Sequence, residues 1–117
     1  MNTPEGKVKK DVKELLQRMQ IWFYMPVQTG YGLTGIPDFI CCWKGLFIAI
    51  ECKAPGREKT VTPSQRRILN EIREHGGRAV VVSSAVELGL WLGLLEHMHE
   101  ETEHGSVEAE AGVRHEV

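Results

Sequence analysis

Gly35 to Lys53 (Gly-Ile-Pro-Asp-Phe-Ile-Cys-Cys-Trp-Lys-Gly-Leu-Phe-Ile-Ala-Ile-Glu-Cys-Lys) constrains the fold of this chain more than any other stretch. Two apolar runs rich in β-branched and aromatic residues flank Lys44-Gly45, the pattern of a β-hairpin. With those two residues as the turn, Trp43 faces Leu46, and counting outward along the antiparallel pair sets Asp38 opposite Glu51. Opposed residues have Cβ atoms roughly 4.5–5.5 Å apart, and residues two apart share a face, so Lys53 joins both carboxylates. Like charges that close destabilise the pair unless a positive charge lies between them, and a hard divalent cation is the economical candidate. The register hangs on the turn. Lys-Gly is a poorer two-residue turn than Asn-Gly, and a slip of one residue sends the carboxylates to opposite faces. The competing reading is an edge strand with Glu51 and Lys53 merely solvated. Phe-Ile-Ala-Ile ahead of Glu51 argues instead for an interior strand, where a charge needs a reason.

A chain of 117 residues forms one domain. Residues 1–99 are expected to be the folded part and 100–117 an acidic tail without periodicity or fixed structure. No apolar run approaches a membrane span and the N-terminus is polar, so a cytoplasmic protein is expected. Cys41, Cys42 and Cys52 lie inside the strand runs without metal-knuckle spacing and read as buried, reduced thiols. Charge is uneven along the chain. Residues 1–95 carry 13 Lys/Arg against 9 Asp/Glu, a net of +4, while residues 96–117 carry one Arg against seven Glu, a net of −6. A basic body is compatible with nucleic acid, although such charges also make ordinary solvated faces.

Thr3-Pro4 signals a helix start, and Val8, Val12, Leu15, Leu16 and Met19 recur at helical spacing. Glu5 projects onto that apolar stripe; a first-turn carboxylate favoured by the helix dipole is the plain alternative. Lys7, Lys9, Lys10 and Lys13 lie off the stripe, open to phosphate or to water. Ile21 to Val27 reads as a first strand, with Pro26 pointing to an edge. Gly30, Gly32 and Gly35 have the spacing of a dinucleotide-binding fingerprint, but Pro37 and a strand follow where that motif needs a helix, so no nucleotide cofactor is expected. A flexible glycine loop leading to Asp38 fits better. Arg57 and Lys59 lie on the loop after Lys53, and with Lys7, Lys10 and Arg66 they are the candidate DNA contacts.

Thr62-Pro-Ser-Gln65 is a capping box opening a second helix with Ile68, Leu69 and Ile72 buried, and Gln65 lies on the same inward face. His75-Gly76-Gly77 stops it, and Arg78 to Ser83 returns as a strand parallel to its neighbour. Ser84-x-x-Glu87 caps a third helix with Trp91, Leu94, Leu95 and Met98 as its apolar stripe. His97, His99 and His104 lack the framework of a metal cluster.

Helix, three strands, helix, strand, with Pro4-Glu5, Gly35-Ile-Pro-Asp38, Ile50-Glu-Cys-Lys53, Thr62-Pro-Ser-Gln65 and Gly76-Gly77 in that order, resembles the PD-(D/E)xK nuclease superfamily. Within it the chain is similar to the VRR-Nuc family, often found as short stand-alone phage chains. The resemblance spans about residues 3–83 and implies a restriction-endonuclease-like α/β core, α-β-β-β-α-β, with a mixed sheet flanked by helices. It implies Asp38 and Glu51 as ligands of Mg²⁺ or Mn²⁺, the Cys52 main-chain carbonyl as a further ligand, and Glu5 reaching the ion through water. Lys53 would position or activate the attacking water, and Gln65 matches the glutamine of the helix after the motif. Stand-alone members resemble junction-resolving enzymes that act as dimers, which implies a homodimer cutting four-way or branched DNA in replication, recombination or repair. The acidic tail departs from the family pattern.

The chemistry agrees. Phosphodiester hydrolysis needs a cation on the non-bridging oxygens and a water made nucleophilic near neutral pH, and a lysine can exchange a proton where an arginine cannot. The alternatives are a DNA-binding module that keeps the fold without cutting, opposed by the complete acidic set, and an assembly protein whose tail engages a partner.

Overall fold

The computed structural model describes residues 3–28 and 33–109. The elements are α1 (Pro4–Arg18), β1 (Trp22–Tyr24), β2 (Phe39–Trp43), β3 (Leu46–Cys52), a 3₁₀ turn (Glu58–Thr60), α2 (Pro63–Glu74), β4 (Arg78–Val82) and α3 (Ala85–Ala109). They build one sheet of order β1-β2-β3-β4, antiparallel at the first two junctions and parallel at the third. The element order along the chain and the mixed sheet are as expected. The hairpin register is also as read, Trp43 with Leu46 and Phe39 with Ile50. Lys44 (φ 53°) and Gly45 (φ 79°) both take the left-handed conformation, as a type I′ turn requires. Lys44 meets that demand without glycine's freedom, and its ammonium lies 3.1 Å from Glu96 of α3.

Each strand alternates between two cores. Phe39, Cys41, Ile48, Ile50, Cys52 and Val82 face α1 and α3, where they pack on Val8, Val12, Leu16, Leu88, Leu92 and Leu95. Ala49 and Ala79 face α2 and let Leu69 approach, with Ile40, Ile72 and Val81 around them. Asp38, Glu51 and Lys53 have the parity of Ile40 and Ala49 and therefore belong to the α2 side.

Several expectations change. The first strand covers only Trp22–Tyr24, because Pro26 has no N–H to continue a ladder. It is the edge strand, as Pro26 suggested. On α3 the buried residues are Leu88, Leu92 and Leu95 with Trp91 beside them, while Leu94 and Met98 face solvent. That helix is apolar on more than one face, and periodicity does not choose between them. Cys41 and Cys52 are buried and Cys42 is exposed; all three are free thiols. α3 runs on to Ala109, past the point where the tail was expected to lose structure. Glu and His in succession keep helix propensity, and His97 meets Glu101 at 3.2 Å one turn on. Gly30, Gly32 and residues 110–117 lie outside the described residues. Among those described, no helix is long and apolar enough to cross a membrane.

Candidate active site

Each candidate side chain is delivered by a feature the sequence writes locally. Asp38 directly precedes β2, opposite Glu51 by extension of the Phe39–Ile50 register. Its Oδ2 accepts a hydrogen bond from the Cys52 amide at 2.8 Å, which fixes the carboxylate against β3. Glu51 ends an interior strand and is 3 % exposed. Lys53 is also buried, its Nζ 3.8 Å from Glu51 Oε2. Gln65 closes the capping box as read, its Oε1 accepting from the Thr62 amide at 2.9 Å, and from the inward face its Nε2 also donates to Glu51 Oε2 at 3.1 Å. One amide thus ties the start of α2 to the carboxylate.

Burial first, then the charge of Asp38, push the Glu51 carboxyl up to about 7, with Lys53 opposing them. Glu5 comes to the rim rather than into the pair, its side chain 42 % exposed. Between Glu5 and Asp38 stands Lys9, Nζ 3.5 Å from Glu5 Oε2 and 3.3 Å from Asp38 Oδ1. Burial works against the Lys9 charge, but Asp38 and Glu5 outweigh it and raise its pKa. Lys9 was read only as a lysine off the stripe; the Glu5–Lys9 spacing of four residues is the signal that could have singled it out.

Among the described residues no three His, Cys, Asp or Glu side chains converge as a metal cluster. The available oxygen donors are two carboxylates with a main-chain carbonyl close by. Lys53 N donates to Val82 O, so the neighbouring Cys52 turns its amide to the opposite edge, toward Asp38. The N–H and C=O of one strand residue leave on the same edge, so the Cys52 carbonyl faces that way too. Burial pushes the Cys41 thiol up to about 12, and that of Cys52 up as well, which makes both poor nucleophiles.

The candidate DNA contacts Lys7, Lys10, Arg57, Lys59 and Arg66 are exposed, and Lys7 is paired with Asp11 at 3.0 Å. An apolar groove of about 510 Å³, lined by Leu33, Ile36, Phe47, Ile68 and Ile72 with Glu71 and His75 at its edge, is formed without Glu5, Asp38 or Glu51.

Gly35 links the halves of the site. It has φ +84°, and a Cβ there would lie 2.5 Å from the Ser64 carbonyl carbon and 2.7 Å from the Gln65 amide nitrogen. Only glycine lets the Asp38 loop lie against the start of α2. Gly35→Ala is expected to lower stability by about 2 kcal/mol or more through the clash and the left-handed backbone. Urea unfolding measures it; a loss below about 0.5 kcal/mol, the scale of an ordinary surface change, contradicts the contact.

A search of curated proteins finds no match. A solved structure described as "VRR_NUC domain" is 26% identical with a TM-score of 0.61, covering 81% of this chain and 97% of the other. The family model "VRR-NUC domain" matches residues 5–86, a span that opens on Glu5, takes in Asp38, Glu51, Lys53 and Gln65, and closes just inside α3. With helix, three strands, helix and strand following one another as the motifs imply, and with the family model covering well over half of its length, the chain belongs to the VRR-NUC family of nuclease domains.

Proposed function

We propose that the protein is a Mg²⁺- or Mn²⁺-dependent DNA endonuclease that cuts four-way or otherwise branched DNA during replication, recombination or repair, and that it acts as a homodimer. The observation that carries the reading is a buried Glu51, its ionisation held back by burial and by Asp38, with Lys53 and Gln65 both directed at its Oε2. Such a pair fits a hard divalent ion, held by Asp38, Glu51 and the Cys52 carbonyl, with Glu5 contributing through water. The bound ion supplies charge neutralisation at the phosphate and a coordinated water of lowered pKa. Gln65 keeps the Glu51 carboxylate oriented, the Cys52 amide does the same for Asp38, and Lys53 places an ammonium beside the phosphate and the attacking water. Lys7, Lys10, Arg57, Lys59 and Arg66 supply backbone contacts to the DNA.

Incubating the protein with a four-way junction, a splayed duplex, a nicked duplex and a linear duplex in Mg²⁺, Mn²⁺ or EDTA tests this. Metal-dependent cutting of the branched substrates is expected, with the linear duplex the poorest. Tight binding with every DNA left intact in all three buffers contradicts it and favours a non-catalytic binding module.

The homodimer is assigned to α3. Val86, Leu90, Leu94 and Met98 recur every fourth residue along one face and are 59–74% exposed, a stripe of the kind that marks an association surface. Leu90→Glu combined with Leu94→Glu is expected to halve the mass measured by light scattering at micromolar concentration. A wild-type monomer, or a variant that stays dimeric, contradicts this assignment alone.

A further inference from the structure

Two lysines divide the two acids between them. Lys53 approaches Glu51 from the same strand, whereas Lys9 reaches Asp38 from α1, with its Nζ 3.3 Å from Oδ1 and 3.5 Å from Glu5 Oε2. The Glu5–Lys9 contact is an ordinary pair one helical turn apart. The contact with Asp38 is different, because it joins separate elements at a carboxylate that is 13% exposed. Oδ2 of that carboxylate is already engaged by the Cys52 amide. The oxygen free of that amide, Oδ1, is the one that carries the Lys9 ammonium.

We propose that Lys9 is the resident counter-cation of this site, a positioning residue that holds Glu5 and Asp38 together in the metal-free protein and competes with the divalent ion for Asp38 Oδ1. The inference rests on the assignment of Asp38 and Glu51 as metal ligands. Binding of the ion displaces the ammonium from Oδ1, so metal affinity in the absence of DNA is set below what the carboxylates alone would give. The freed ammonium stays at the rim of the site, tethered to α1.

The test is calorimetric titration of the full chain with MnCl₂ alone, without DNA, for wild type, Lys9→Met, Lys9→Arg and Lys10→Met. Lys9→Met is expected to bind Mn²⁺ about tenfold more tightly, in the usual range of coupling between competing sites. Lys9→Arg should return to the wild-type value, and Lys10→Met should stay within about twofold of it, as expected for an exposed charge screened by solvent. In metal-free buffer Lys9→Met should melt below Lys10→Met, and saturating MnCl₂ should close that gap because the ion takes over the role of the ammonium. Unchanged or weaker Mn²⁺ binding in Lys9→Met, with wild type binding normally, overturns the proposal. So does an equal gain in Lys10→Met, which would reflect general charge instead of a seated competitor. If wild type and all variants take up no Mn²⁺, the metal-ligand assignment falls, and this inference falls with it.

Discussion

Glu51→Gln is expected to abolish metal-dependent cleavage and, in metal-free buffer at pH 8, to melt at a higher temperature than wild type. The two effects have one origin. Burial and then Asp38 raise the Glu51 carboxyl from 4.5 to about 7, against the pull of Lys53. A folded pKa above the unfolded one means that the folded state holds the extra proton. The stabilisation from this group is complete below about 4.5 and is lost as pH rises through about 7. At pH 8 the ionised buried acid therefore costs up to about 3 kcal/mol relative to its unfolded-state behaviour. A neutral amide of the same shape avoids that cost and still offers an oxygen to Gln65 Nε2. Metal-free wild type should lose melting temperature from pH 5 to pH 8, the glutamine variant much less. MgCl₂ should restore wild type at pH 8 and leave the variant unmoved. Scanning calorimetry with EDTA or MgCl₂ decides it: a variant that still gains from magnesium removes Glu51 from the ligand set.

Lys53→Met should separate catalysis from binding. Its ammonium is buried, 3.8 Å from Glu51, and in the proposed reaction it would be the second positive charge beside the phosphate. Removing it is expected to slow cleavage of branched DNA about a thousandfold, the scale of losing one preorganised charged donor. Mn²⁺ affinity and junction binding should be kept or slightly increased, since one positive charge beside the ion is gone. Lys53→Arg should recover little of the rate, because a broad planar guanidinium does not replace a compact ammonium at a buried position. Single-turnover cleavage alongside gel-shift binding reads both quantities. Undiminished cleavage would take Lys53 out of the chemistry, and loss of junction binding in step with the rate would make it a DNA contact only.

What sequence reveals here divides along a physical line. The hairpin was legible because two apolar runs flank Lys44-Gly45, and once those two residues are the turn the register carries Asp38 to Glu51. The capping box at Gln65 was legible from Thr62-Pro-Ser-Gln65 and its hydrogen bond exists, whereas its second bond, to Glu51, depends on how α2 packs on the sheet. The apolar stripe of α3 was half misread: Trp91 and Leu95 turn inward, but Leu94 and Met98 do not, since a helix apolar on several sides leaves the choice of buried face to its neighbours. Lys9 escaped for a related reason. Its partner Asp38 lies 29 residues away, just before β2, and only tertiary packing of α1 on the sheet brings an unremarkable surface lysine to that oxygen. Gly35 was read as a source of loop freedom, whereas its missing Cβ is what admits the α2 backbone.

Crystals of the protein soaked in MnCl₂, with anomalous scattering recorded near the manganese edge, would locate the ion itself. One strong peak is expected within about 2.5 Å of an oxygen of Asp38, an oxygen of Glu51 and the Cys52 carbonyl, the reach of a hard-cation site. Crystals saturated with manganese that hold no ion between those two carboxylates, or that bind it elsewhere while Lys9 stays on Asp38, would contradict it.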